Sequence, residues 1–155
     1  DMDLEYFRIK REKAKEIYFS KKTISNPYLE RDIIFNSDGF HHLQFSARRE
    51  RDKREQLLKF SLLPLAFHVV KKSGTLQEYR KELITVGKKD KNGLCLTKPV
   101  EYWGFVAIMG EKQIKIRVIL RRVGDGNITF WSVMPRSKIK REGRQKFYTE
   151  GIEDV

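Results

Sequence analysis

The stretch from Val100 to Pro135, VEYWGFVAIMGEKQIKIRVILRRVGDGNITFWSVMP, constrains the fold more than any other part of the chain. It reads as three strands joined by two tight turns, an antiparallel meander. Asp125-Gly126, flanked by Gly124 and Asn127, is a two-residue hairpin signal. Gly110-Glu111 suits a turn that needs a positive dihedral at its first central position. Each turn implies a register. The first pairs Val123 with Ile128, Arg121 with Phe130, Ile119 with Ser132 and Arg117 with Met134; the second pairs Trp103 with Val118 and Gly104 with Arg117.

Neighbouring strand residues point to opposite faces, so these pairings sort the meander into two surfaces. Trp103, Phe105, Ala107, Ile114, Ile116, Val118, Leu120, Thr129, Trp131 and Val133 form a nearly apolar face, predicted to be buried. The other face carries Tyr102, Gly104, Val106, Ile108, Lys115, Arg117, Ile119, Arg121, Ile128, Phe130, Ser132 and Met134. Its polar groups gather at mid-sheet, as a site would. Gly104 either opens room there for a substrate or a guanidinium, or marks a bulge. Arg117 and Arg121 read equally well as a solvated face or a phosphate site. A one-residue slip would exchange the faces and bury both arginines, which is costly without partners.

The preceding segments read mainly as helices. Leu4 to Ser20 is a charged helix with a narrow stripe of Tyr6, Phe7, Ile9 and Ile17, expected to be accessory. Asn26-Pro27 breaks it, and RDIIF (31–35) fits a short strand. Asn36, Ser37 and Asp38 can cap a short helix carrying His41 and His42. Arg48, Arg49, Arg51, Lys53 and Arg54 form a basic run, either solvated surface or an RNA backbone contact. From there to Lys72, Leu58, Leu62, Leu65, Ala66 and Val69 make a helical stripe suited to cover the apolar sheet face. Pro64 is a kink or a new first turn within it. Thr75 to Glu78 looks like a capping box opening a helix to about Leu83, and Lys88 to Lys98 like a polar connector. Ser137 to Lys146 is strongly basic. The predicted organisation is an accessory helix in 1–30, a domain in 31–135 and a basic tail in 136–155. The predicted class is α+β, with N-terminal helices packed on one face of a small antiparallel meander.

With 33 Lys and Arg against 21 Asp and Glu, the net charge of +12 points to a polyanionic partner. Nucleic acid is the default and a membrane surface the competitor. The chain lacks the run of about 18 apolar residues that would span a bilayer. One cysteine, Cys95, allows neither an internal disulfide nor a thiolate cluster, and three scattered histidines do not make a zinc site. No metal and no cofactor are expected. A chain that starts at Asp1 fits a fragment of a longer protein.

The strings SDGFHHLQF, KFSLLPLAFHVVKKSGTLQEYRK and IKIRVILRRVGDGNITFWSVMP resemble the phage-associated branch, PBECR, of the barnase, EndoU, colicin and RelE-like nuclease superfamily. The resemblance covers about residues 31 to 135. It implies a barnase-like domain of phage, mobile-element or toxin type. It also implies a nuclease site with the histidine of the GFxHL-like string at His42, the strand arginine at Arg117 and the serine of FWSV at Ser132. His41 is the alternative histidine.

The chemistry expected of such a site is metal-independent cleavage of RNA by 2′-hydroxyl attack, leaving a 2′,3′-cyclic phosphate. His42 would act as general acid or base. Arg117 and Arg121 would hold phosphate and the developing charge, and Ser132 and Tyr102 would orient. Lys115, Phe130, Arg48 and Arg51 are the further substrate-binding candidates. The alternatives are a binding module that stacks bases on Tyr102 and Phe130 without cutting, and a protein-interaction domain docking an acidic partner such as an antitoxin or immunity protein. A cytoplasmic site of action is expected.

Overall fold

The computed structural model describes residues 3–109 and 111–135. The predicted basic tail lies outside the described residues. Ten elements follow in order: α1 (Leu4–Lys21), β1 (Thr23–Asn26), β2 (Arg31–Ile34), α2 (Ser37–Gln44), α3 (Lys53–Ser61), α4 (Leu63–Lys72), β3 (Glu78–Val86), β4 (Leu96–Met109), β5 (Ile114–Val123) and β6 (Thr129–Pro135). The six strands form one sheet in the order β1-β2-β6-β5-β4-β3. Neighbours are antiparallel except β2 and β6, which run parallel and share a single register pair, Ile34 with Thr129. Helices pack on one face of this mostly antiparallel sheet, the α+β arrangement expected.

The main core lies between helices and sheet. Phe105, Ile116, Val118, Leu120, Phe130 and Val133 from the strands meet Phe60, Leu63, Ala66 and Val70 from α3 and α4. The expected accessory helix α1 adds Phe7, Ala14 and Tyr18 to this same core. Asp3 caps α1 by accepting from the Glu5 amide at 3.0 Å. Pro64 sits in the first turn of α4, where its missing N–H costs nothing. Asn26, 1% exposed, links two elements: Oδ1 accepts from the Leu29 amide at 2.9 Å and Nδ2 donates to the Val70 carbonyl at 2.8 Å. That bond satisfies a carbonyl in the last turn of α4, where no intrahelical donor exists.

The predicted meander is β4-β5-β6, with three differences. First, β4 begins at Leu96 and pairs with β5 two residues out of the expected register, so Gly104 faces Ile119 and Val106 faces Arg117. A shift of two keeps every side chain on its predicted face. Second, the β5-β6 loop runs from Gly124 to Ile128, not the two residues expected. Third, a bulge compensates for it. Ile119 with Ser132 and Arg117 with Met134 pair as expected, but Leu120 pairs with Phe130 and Arg121 with Thr129, leaving Trp131 as the extra residue. Phe130 is therefore turned into the core, fully buried beside Tyr18 and Phe35, and is not the exposed base-stacking residue expected.

The capping-box reading also fails. Glu78–Val86 is strand β3, paired along its whole length with β4. EYRKELITV alternates in exposure residue by residue, and its partner strand overrides the local cap signal.

Candidate functional site

Among the described residues the outer edge of β6 has no strand partner beyond Thr129, and α2 and α3 bring side chains to it. Gly39 sets the distance. A β-carbon there would lie 2.5 Å from the Phe130 carbonyl oxygen and 2.5 Å from the Tyr18 hydroxyl, so only glycine lets α2 come so close. The Asn36 side chain caps this helix by accepting from the Gly39 amide at 3.1 Å. One turn on, His42 lands flat on Trp131, ring centroids 4.2 Å apart and planes 16° apart. The other histidine, His41, stacks on Phe45 and is exposed.

His42 is 5% exposed. Arg51 wraps it: Nε donates to the His42 carbonyl at 3.0 Å, Nη2 lies 3.2 Å from the His42 Nε2, and Nη1 donates to Glu55 at 3.0 Å. A guanidinium can only donate, so Nε2 accepts and the ring proton belongs on Nδ1. Burial pushes the His42 pKa down to about 3, with Arg51, Lys59, Arg121 and His41 adding repulsion. The imidazole is neutral at ordinary pH. Arg51, predicted in a run of solvated surface or RNA contacts, is 7% exposed and belongs to the framework of this cluster. Arg48 is exposed.

Lys59 enters the cluster from α3. It is 2% exposed, and Nζ donates to the Ser132 hydroxyl at 3.2 Å and the Val133 carbonyl at 2.9 Å. This ammonium therefore supplies the donor that a neighbouring strand would otherwise give the β6 edge. Arg121 completes the group from β5, its guanidinium carbon 4.1 Å from the Trp131 ring centroid and 5.9 Å from that of Tyr102. Two donors here are buried without a hydrogen-bond partner among the described residues: Arg121 Nε and Trp131 Nε1. Unanswered buried donors are rare because each forfeits its bonds to water. Those two, on stacked neighbours among four basic side chains, form a place for an acceptor.

Arg117 stands apart. Its Nε and Nη2 each donate at 2.7 Å to the two oxygens of Glu78, a bidentate pair on the helix-free face, and Nη1 lies 3.8 Å from the Met134 sulfur. Gly104 makes this possible, since a β-carbon there would come within 2.7 Å of Glu78 Oε1. The room predicted beside Gly104 is thus filled by a carboxylate of the chain itself. Of the expected triad, His42 and Ser132 share the β6-edge cluster, and Arg117 sits on β5 four residues before Arg121, engaged with Glu78. Tyr102, expected to be exposed, is 9% exposed, with Arg80 and Arg121 over its ring. Lys115 is half-buried opposite Ile108, away from the cluster in register.

Sequence reasoning missed Lys59, Trp131, Glu55 and Glu78. Lys59 left a signal: Gln56, Lys59, Phe60 and Leu63 recur at helical spacing, so two polar residues lie on the buried face of α3. Trp131 left none, because its position depends on the bulge.

Among the described residues, no group of three or more His, Cys, Asp or Glu side chains could hold a metal ion. No helix among them is long and apolar enough to cross a membrane. No protein-family model, curated protein or solved structure matches this chain.

Proposed function

We propose that the chain is a metal-independent endoribonuclease that holds an RNA phosphodiester at the β6 edge and cleaves it by 2′-hydroxyl attack. The observation that carries this reading is the pair of unanswered buried donors, Arg121 Nε and Trp131 Nε1, beside Lys59, Ser132 and His42. A phosphate oxygen supplies the acceptor both donors lack, and Lys59 and Arg121 stabilise the charge that grows on the phosphorane. His42 is the base. Its lone pair on Nε2 is held by Arg51, so proton abstraction requires Arg51 to turn toward the phosphate. The incoming negative charge also offsets the cations that oppose protonation of the ring, which raises its basicity.

A second reading has its own support. A histidine with a pKa near 3 is a weak base, and its engaged Nε2 favours a module that grips RNA without cutting. Turnover separates the two. Total RNA incubated with the purified chain in EDTA should give discrete fragments ending in 2′,3′-cyclic phosphate, and His42→Ala should abolish them. Retention of RNA with no fragments would replace the nuclease by the binding module.

A further inference from the structure

On the side of the molecule formed by α1, α4 and β1, two clefts of about 260 Å³ and 600 Å³ meet, sharing Ile17 and Pro64 in their walls. Together they make one groove between α1 and α4. Its α1 wall runs from Tyr6 to Lys21, about 22 Å at a helical rise of about 1.5 Å per residue. The floor is apolar, built on Ile17, Phe60, Pro64 and Phe67. The rim is cationic: Lys10 and Lys13 line one cleft, Lys21 and Lys71 the other, and all four side chains are exposed. Among the described residues, no carboxylate lines either cleft. Acids do adjoin lining residues: Asp32 accepts from Ser25 at 2.9 Å, and Glu5, Glu12 and Glu16 neighbour Tyr6, Lys13 and Ile17 along α1.

We infer that this groove docks an acidic amphipathic helix of a partner protein. Its lysine rim over an apolar floor is complementary in charge and polarity to such a helix. A helix with an apolar stripe at i, i+3, i+4 and i+7 fills the floor, and glutamates or aspartates beside the stripe reach the lysines. The wall length accommodates about four turns. The apolar floor distinguishes this surface from the β6 edge, where the buried groups are donors and the expected ligand is a phosphate. The inference does not depend on the nuclease reading, because none of these lysines takes part in the β6-edge cluster.

The test is fluorescence anisotropy with a labelled peptide of about 14 residues carrying leucine at i, i+3, i+4 and i+7 and glutamate elsewhere. Its controls are a scrambled peptide of identical composition and a labelled single-stranded RNA of similar charge. Saturable binding that weakens about tenfold or more on scrambling, and again in Lys13→Glu and Lys71→Glu, supports the docking site. These lysines are exposed, so the variants keep the fold. Equal binding of the scrambled peptide, absence of binding, or indifference to both charge reversals overturns it. RNA binding that is lost in the same two variants would also overturn it, by assigning the groove to nucleic acid.

Discussion

Two sets of basic side chains lie on this sheet, and they differ in what answers them. Arg117 is 5% exposed and meets a carboxylate that matches its fork, Glu78, at 2.7 Å on both oxygens. At the β6 edge, His42, Arg51, Lys59 and Arg121 converge, Glu55 answers Arg51, and two donors find no acceptor among the described residues. The first arrangement is complete within the chain, so it reads as structure. The second is incomplete in a way an anion would complete, so it reads as a site. Burial of a basic side chain does not separate the two cases; the balance of donors and acceptors does.

The largest effect expected belongs to the completed pair. Arg117→Ala leaves the Glu78 carboxylate without its fork, and because that carboxylate is partly hydrated the loss should be about 2 to 3 kcal/mol, between surface and fully buried pairs. Urea denaturation would show it as a lower midpoint, and an unchanged midpoint would remove Arg117–Glu78 from the framework. Gly39→Ala should cost about 1 to 3 kcal/mol, since its methyl group meets the Phe130 carbonyl and α2 must back away from β6. The same shift lifts His42 off Trp131, so near-ultraviolet circular dichroism should change with the stability.

Acid should weaken the fold through His42. The unfolded ring titrates near 6.5 and the folded one near 3, so the unfolded chain binds the extra proton first. The contribution is full above pH about 6.5 and is lost progressively as pH falls toward about 3. Urea midpoints measured from pH 7 to pH 4 should fall less steeply in His42→Phe, and equal slopes would show that the ring titrates normally in the fold. The smallest effect is expected for Lys59→Met. Removing the buried ammonium relieves its desolvation but leaves the Val133 carbonyl and Ser132 without their donor, so the net loss should be about 1 kcal/mol. Cleavage should nonetheless fall in this variant if Lys59 serves the phosphate. A severe loss of stability would move Lys59 to the framework side of the comparison.

Much of this architecture was legible in the chain because period-two patterning and turn glycines are local signals. The meander, the faces of β4 and β5, the Asn36 cap and the Ile119–Ser132 pair all follow from them. What was not legible depended on distant partners. Trp131 is pushed out by a bulge that reconciles a five-residue loop with the inner register, and this sends Phe130 into the core. Glu78 carries a helix-cap pattern locally, yet β4 claims it as a strand residue facing Gly104. Arg51 belongs to a run of charges that looks solvated, and only the packing of α2 on β6 shows that its side chain wraps His42.

The central claim is best tested by the cleavage rate on one labelled RNA in EDTA, normalised to folded protein, for Arg121→Ala and Arg117→Ala side by side. The account predicts a loss on the order of 100-fold for Arg121→Ala, as for removal of one placed charge stabiliser, and a change within a few-fold for Arg117→Ala. The reverse order would contradict it and move the site along β5 to Arg117.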